Sequence, residues 1–249
     1  MRHARYADLL MPAKEANAKF IEPMLLLRTE KLPEGPGWLI ELKFDGYRAL
    51  AIKDSGKLRL RSRNDKDFNS RYPAIVKALA AMPDGTVIDG EIVALDGNGK
   101  PSFSLLQNYG SAGGSLHYFI FDVLILKGRD VMAEPLVKRR ELLERHVFPK
   151  MSEPIRDSPI LEGRLKDLIR SVKAQGLEGL VAKRRDSEYE AGRRSGAWQK
   201  MRVNRGQEFV RLVGSVNAID VRTERLITLS ADQTLDSIKR HILPRLFRC

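Results

Sequence analysis

Lys-Phe-Asp-Gly-Tyr-Arg at residues 43–48 directly follows the mostly apolar run Trp-Leu-Ile-Glu-Leu at residues 38–42. An Asp-Gly pair between two strand-like runs is typical of a tight β-hairpin, because both residues tolerate the backbone angles of such a turn. The same stretch also places a lysine, a carboxylate and an arginine around one glycine. A simple hairpin turn and a reactive site are therefore both possible, and the rest of the chain decides between them.

The pattern along the chain predicts an α+β protein of hairpins and helices. Strands are predicted at residues 38–43, 47–53, 57–62, 86–95, 117–126, 178–183 and 197–203. Helices are predicted at residues 71–82, 134–147 and 161–175, with Gly176 as the C-terminal cap of the last one. A basic Gly-Arg-Arg-Ser-Gly loop occupies residues 192–196. This mixture of elements favours an α+β or α/β sandwich.

The composition is that of a globular protein with an affinity for polyanions. Of the 249 residues, 43% are hydrophobic and 31% are charged, and the formal net charge is +12. Such an excess of positive charge favours nucleic acid or nucleotides, and by itself it would equally favour an anionic membrane surface.

Several classes of protein are excluded or disfavoured. Cys249 is the single cysteine, so no intrachain disulfide can form, which fits a reducing cytoplasm. The four histidines are scattered and offer no zinc-ligand spacing. No apolar run reaches the roughly 18 residues that suggest a membrane span, and a membrane partner is not expected. The chain also lacks the Gly-x-x-x-x-Gly-Lys-Ser/Thr loop of the P-loop nucleotide binders.

Further motifs follow residues 43–48 in order. They are Ser-Arg-Asn at 62–64, Asp-Gly-Glu at 89–91, Phe-Asp-Val at 121–123, Glu-Gly-Leu-Val-Ala-Lys at 178–183 and Trp-Gln-Lys at 198–200. Together they resemble the motifs of the covalent nucleotidyltransferases, which are ATP-dependent DNA ligases, RNA ligases and mRNA capping enzymes. The resemblance is most marked for bacterial ATP-dependent DNA ligases, particularly the ligase module of non-homologous end joining. It implies the ATP-grasp-like adenylation fold of antiparallel sheets packed with helices.

The resemblance implies that Lys43 is the catalytic nucleophile, with Asp45 and Gly46 in supporting positions. Its amine would attack the α-phosphate of ATP, displace pyrophosphate and form a lysyl-AMP phosphoramide. A free lysine with a pKa of about 10.4 is protonated at neutral pH and therefore unreactive. The site must lower that pKa through burial and nearby positive charge.

Other motif residues are expected to hold the nucleotide. Arg48 and Arg63 would hold its ribose and phosphates, because a guanidinium can fork onto phosphate oxygens. Glu91 would contact the ribose or orient groups around the lysine. Lys183 and Lys200 would neutralise the α-phosphate as charge develops on it.

At the base of the nucleotide, Phe121 would stack on the adenine, although packing in the core is the commoner fate of such an aromatic residue. Glu41 lies two residues before Lys43 and so on the same face of the strand. It would contact the adenine amino group and favour ATP over GTP.

A divalent cation and DNA complete the implied ligands. Glu178 would help to hold Mg²⁺ or Mn²⁺, which prefer hard oxygen ligands, unless it is only a polar residue beside the Gly179 turn. Arg202 stands where the family commonly has lysine and keeps the charge without the compact ammonium geometry. The candidate contacts to DNA are Arg184, Arg185, Arg193, Arg194 and Arg205, each of which is otherwise part of a solvated basic face.

The expected domains are a basic leader at residues 1–19, an adenylation domain at residues 20–210 and an atypical tail at residues 211–249. The tail is too short for a complete oligonucleotide-binding (OB) barrel, and residues 233–248 predict a basic helix interrupted at Pro244. Because that barrel helps the first step and grips the duplex in the family, we expect weak adenylation of the lysine and weak joining from this chain unless a partner supplies the missing parts.

The resulting interpretation is an ATP-dependent DNA ligase that seals 5′-phosphate and 3′-hydroxyl breaks in DNA repair. Its implied partners are nicked or broken duplex DNA and the end-binding protein Ku. A monomer is expected, in the nucleoid-associated cytoplasm of a bacterium. Two alternatives remain open: an RNA ligase or capping-type nucleotidyltransferase, and a catalytically silent nucleic-acid-binding module.

Overall fold

A computed structural model describes residues 14–110 and 113–204 and two further strands. Its strands are β1 Leu27–Arg28, β2 Trp38–Lys43, β3 Tyr47–Asp54, β4 Lys57–Ser62, β5 Thr86–Leu95, β6 Ser115–Leu126, β7 Arg129–Asp130, β8 Ile155–Asp157, β9 Gly179–Arg184, β10 Trp198–Arg202, β11 Val216–Asp220 and β12 Arg225–Leu229. Its helices are α1 Pro73–Ala78, α2 Phe103–Gln107, α3 Leu136–His146 and α4 Leu165–Ala174, with 3₁₀ turns at Leu79–Ala81 and Phe148–Lys150.

The chain divides into two units, residues 1–205 and residues 206–249. Within the described part of the second unit, β11 and β12 pair as an antiparallel hairpin. The predicted helix at residues 233–248 lies outside the described residues, as do residues 1–13 of the predicted leader at residues 1–19. The rest of that leader is held by backbone hydrogen bonds from Ala16 to Gly128 and from Asp130 to Lys14. None of the helices in the described part of the chain has the length and apolar character needed to cross a bilayer.

The first unit contains two sheets. The smaller one has the strand order β1-β10-β9-β2, in which β1 runs parallel to β10 and the other pairs are antiparallel. The larger one has the antiparallel order β4-β3-β5-β6-β7, and β8 joins it parallel to β6. The predicted fold of antiparallel sheets packed with helices is therefore confirmed.

Apolar side chains from both sheets form a shared core, which packs the sheets face to face. Leu39 and Trp198 enter it from the smaller sheet, and Leu50, Ile52 and Val87 enter it from the larger one. Alternation of side chains along each strand leaves a second apolar face on each sheet. Helices α1 and α3 cover that face of the larger sheet, and α4 covers that of the smaller sheet.

The connection from β2 to β3 positions the site. These strands do not pair with each other, because β2 pairs with β9 and β3 pairs with β4 and β5. The hairpin interpretation of the Asp-Gly pair is therefore wrong, and residues 44–46 carry the chain from one sheet to the other. Gly46 is required here, since a Cβ on it would lie 2.3 Å from the carbonyl oxygen of Ile92. Phe44 stacks on Phe119 at 4.3 Å between ring centroids and anchors the crossing.

Most predicted elements are present, and their ends differ for identifiable reasons. The predicted helix at residues 71–82 is α1 followed by the 3₁₀ turn before Pro83. The predicted helix at residues 161–175 starts only at Leu165, because Gly163 has a φ of 126° and Arg164 is extended. Gly176, with a φ of 63°, ends that helix as predicted.

Candidate active site

A cleft with a volume of about 370 Å³ lies at the crossing between the two sheets. The residues predicted to bind the nucleotide come from distant parts of the sequence. The cleft is lined by every one of them, namely Glu41, Lys43, Arg48, Arg63, Glu91, Phe121, Lys183 and Lys200. The fold thus brings the predicted residues together, and their individual roles stay predictions.

Lys43 is the last residue of β2, and its side chain forms an ion pair. Its Nζ lies 2.6 Å from Oε2 of Glu178, and both side chains are largely buried. The second oxygen of Glu178 forms an ion pair with Arg202, at 3.1 Å from its Nε. Close contact of the strands makes this possible, because a Cβ on Gly179 would lie 2.0 Å from the carbonyl oxygen of Met201. One carboxylate therefore joins two basic side chains beside the cleft.

Positive charge is concentrated around this ion pair. Lys200 lines the cleft, and its pKa is lowered by burial and by the nearby cations Lys43, Arg202 and Arg194. Arg63 is an exposed residue on the cleft wall. Such a cluster suits the binding of a polyphosphate. Asp45 is exposed and lies one residue before the crossing glycine.

The contacts of Arg48 differ from the predicted contacts with the ribose and phosphates of the nucleotide. Its guanidinium forks onto the buried carboxylate of Asp89, with Nε to Oδ1 at 3.0 Å and Nη2 to Oδ2 at 2.6 Å. Its Nη1 donates to the carbonyl oxygen of Met24 at 2.7 Å. The hydroxyl of Tyr189 donates to the same carboxylate at 2.6 Å. The fork that we assigned to phosphate therefore faces Asp89 in this structure.

Glu91 pairs in register with Arg48 across β3 and β5. Burial raises its pKa to about 7, although the charges of Arg48 and Lys43 act in the opposite direction. Near neutral pH this carboxyl can therefore be a hydrogen-bond donor as well as an acceptor.

At the other end of the cleft, Glu41 is a buried carboxylate with three polar partners. It accepts from Nζ of Lys183 at 2.8 Å, from Oγ of Ser158 at 3.2 Å and from Nη1 of Arg140 at 3.4 Å. Lys183 was predicted to neutralise phosphate, but here it is paired with Glu41. Burial lowers the pKa of Lys183, and its ammonium lies 4.1 Å from the ring centroid of Phe121.

The sequence analysis missed four residues of this arrangement: Asp89, Arg140, Ser158 and Tyr189. One signal for Arg140 was present, because an arginine stood on the otherwise apolar face of the predicted helix at residues 134–147. Arg140 uses that position to reach Glu41, the carboxylate of Asp157 at 3.0 Å and the carbonyl oxygen of Ser158 at 2.9 Å.

Four of the five candidate DNA contacts lie on the surface of the first unit. Arg184, Arg185, Arg193 and Arg194 are all exposed. Arg184 pairs with Asp186 at 2.8 Å. Arg205 lies outside the described residues. The segment between β9 and β10, which carries three of these arginines, is held by a backbone hydrogen bond from Leu25 to Arg193 at 2.8 Å.

Comparison with solved structures identifies the class of the fold. A mycobacterial DNA ligase D complexed with ATP and MES matches with a TM-score of 0.63 and 36% identity, over 73% of this chain and 60% of that one. The ligase domain of LigD from M. tuberculosis matches with a TM-score of 0.61. The architecture is the nucleotidyltransferase fold of DNA ligases.

Comparison of the sequence with known proteins shows the family of the chain. Residues 23–202 match the model of the ATP dependent DNA ligase domain, so the chain belongs to the ATP-dependent DNA ligase domain family. A multifunctional non-homologous end joining protein LigD from Pseudomonas aeruginosa is 37% identical over 195 residues, 77% of this chain and 23% of the relative. A LigD from Mycobacterium tuberculosis is 38% identical over 175 residues, 70% of this chain and 22% of the relative. The chain thus spans less than a quarter of these relatives.

Proposed function

We propose that this chain is the adenylation module of an ATP-dependent DNA ligase that acts in the repair of DNA breaks. Lys43 attacks the α-phosphate of ATP, the bond to the β-phosphate oxygen breaks, and pyrophosphate leaves as lysyl-AMP forms. The AMP then passes to a 5′-phosphate at a break. A 3′-hydroxyl attacks that activated phosphate, joins the strands and releases AMP. The observation that carries the proposal is the placement of Lys43 beside Glu178 in a cleft lined by every predicted nucleotide-binding residue.

The charges around the cleft support an ordered pose for ATP. Lys200 and Arg63 would bind phosphate oxygens, and Glu91 would bind the ribose hydroxyls. Phe121 and Glu41 would hold the adenine at the end of the cleft where Lys183 and Ser158 lie. With the adenine at the buried Glu41 end, the phosphates would point away from that end. The α-phosphate would then lie near Lys43.

Glu178 fits the role of ligand to Mg²⁺ or Mn²⁺. It is a largely buried hard-oxygen ligand next to Lys43. No group of three or more His, Cys, Asp or Glu side chains forms a metal site in the described part of the chain. Mg²⁺ is often held by one or two carboxylates with substrate phosphates and water, so one carboxylate suffices. When bound, the ion would supply positive charge that favours the neutral amine of Lys43 and the departing pyrophosphate.

For the DNA, we propose that the basic surface near β9 and β10 contacts the phosphates of a nicked or broken duplex. Arg193 and Arg194 are exposed, and the charge of Arg194 is one of the causes that lower the pKa of Lys200. The names of the relatives place them in non-homologous end joining. On that basis Ku is the proposed protein partner, and the nucleoid is the proposed place of action.

Intact-mass spectrometry tests the first step. The chain is incubated with ATP and Mg²⁺, alongside Lys43→Ala and the control Lys57→Ala, which changes an exposed lysine at the start of β4. We expect the mass of one AMP group to be added to the parent and to the control but not to Lys43→Ala. An unmodified parent, or an adduct that survives Lys43→Ala, would contradict the proposal.

A further inference from the structure

We propose that Ser158 is a specificity-determining residue that accepts a hydrogen bond from the 6-amino group of adenine. This inference rests on the proposed function, because that function places the adenine at the Glu41 end of the cleft. Ser158 lines the cleft and lies in the segment directly after β8. It was not among the residues that the motifs predicted.

The hydrogen bonds of Ser158 leave it with acceptor capacity alone. Its backbone N–H donates to the carbonyl oxygen of Ile120 at 2.8 Å. Its carbonyl oxygen accepts from Nη2 of Arg140 at 2.9 Å. Its hydroxyl hydrogen is directed to Oε2 of Glu41 at 3.2 Å, and an ionised carboxylate cannot donate in return. The lone pairs of the hydroxyl oxygen are what remains for a ligand.

Glu41 and Ser158 are fixed in place by the same neighbours. Arg140 holds both residues, and the carboxylate of Asp157 holds Arg140 in turn. Lys183 binds the Glu41 carboxylate from the opposite strand at 2.8 Å. The hydroxyl of Ser158 therefore cannot reorient its hydrogen without losing a hydrogen bond to a buried carboxylate, which is costly in a buried site.

This arrangement distinguishes purines by the group at position 6. The amino group of adenine is a donor and matches two acceptors, whereas the keto oxygen of guanine would face them without a hydrogen. Two cationic donors contact Glu41, namely Lys183 and Arg140, and of these two Lys183 lines the cleft where it could serve a keto group. Its ammonium donates to Glu41 and lies over the rings of Phe121 and Trp198, at 4.1 and 4.4 Å from their centroids.

The test is equilibrium binding of ATP and of purine riboside triphosphate, which differs from ATP only by the missing 6-amino group. We expect the parent to prefer ATP, because a site built around a hydrogen bond disfavours the analogue that lacks it. Ser158→Ala should reduce that preference by roughly 5–10-fold, chiefly through weaker binding of ATP. Ser158→Thr, which keeps the hydroxyl, and Ser104→Ala, which changes an exposed serine of α2, should keep the preference of the parent.

Three outcomes would overturn the inference. A Ser158→Ala variant with the parental preference would show that the hydroxyl does not read the base, as would equal weakening of both nucleotides. Binding and adenylation are measured separately, so the two proposals fail separately. A parent that binds ATP without forming an adduct contradicts the proposed function alone, and its binding preference still decides the role of Ser158. A parent that binds neither nucleotide overturns both.

Discussion

Glu91 is a carboxyl group whose environment disfavours its charge. Burial raises its pKa to about 7 from an ordinary value of 4.5. Between these two values the folded protein binds more protons at Glu91 than the unfolded chain does, so the free energy of unfolding falls as the pH rises. Above the folded-state pKa of about 7, the contribution of Glu91 to the free energy of unfolding is lost completely.

Glu91→Gln removes this titration and gives the first prediction. Between pH 5 and pH 8, we expect the parent to lose about 2 kcal/mol of unfolding free energy relative to Glu91→Gln. Urea unfolding across that pH range measures the difference. Parallel pH profiles for the two proteins would show that the Glu91 carboxyl is not perturbed.

Asp89 gives a second prediction at the scale of a single residue. Its buried carboxylate holds the fork of Arg48 and accepts from the hydroxyl of Tyr189. Asp89→Ala leaves the guanidinium of Arg48 buried without its partner, and we expect a loss of about 3–5 kcal/mol of unfolding free energy. The control Asp186→Ala removes an ion pair of two exposed side chains and should cost less than about 1 kcal/mol. Similar losses for the two variants in denaturant unfolding would contradict this account.

The site residues that could be predicted lie in local motifs, whereas the others depend on partners far away in the sequence. Lys43, Glu41 and Glu91 lie in or beside short local motifs, and the resemblance of those motifs to the covalent nucleotidyltransferases sufficed to find them. Asp89 was part of a motif, but its role depends on a tyrosine 100 positions away in the sequence. Ser158 likewise gains its meaning only from Glu41, which is 117 positions away. No periodicity in the sequence encodes such pairs.

Among the elements, β2 and β3 show what alternation can and cannot predict. The period of two identified both strands to within a residue, because each has apolar side chains on a buried face. It did not identify their partners. The Asp-Gly pair favoured a hairpin, whereas pairing of β2 with β9 sends the two strands into different sheets. Long-range strand pairing overrides a local turn signal here.

Gly46→Ala tests that crossing. An added Cβ would meet the carbonyl oxygen of Ile92 at 2.3 Å, so the segment between β2 and β3 must move. We expect a loss of at least about 2 kcal/mol of unfolding free energy and of most lysyl-AMP formation. Gly97→Ala is the matched control, because nothing lies within 4 Å of its added Cβ. Thermal unfolding and intact mass measure the two effects, and full adduct formation by Gly46→Ala would disprove the requirement.

At the scale of the whole molecule, the net charge of +12 predicts salt-dependent binding of DNA. If Arg193 and Arg194 each neutralise one phosphate, the double alanine variant should lower the slope of log Kd against log salt by about 2. Arg164→Ala with Arg170→Ala removes the same charge from α4 and the residue before it, where both arginines already pair with Asp167, and should change the slope little. Binding of a nicked duplex measured between about 50 and 200 mM salt gives the slopes. Equal slopes for the two double variants would contradict phosphate contacts by Arg193 and Arg194.

The crossing between the sheets has a consequence for how the chain responds to its ligand. Lys43 and Lys200 reach the cleft from the smaller sheet, whereas Glu91 and Phe121 reach it from the larger one. A nucleotide in the cleft would therefore contact residues of both sheets at once. Its binding energy would also hold the two sheets together. Each sheet supplies only part of the lining, so a chain whose sheets are not docked has no complete site. Occupancy by ATP would then report on the docking of the two sheets.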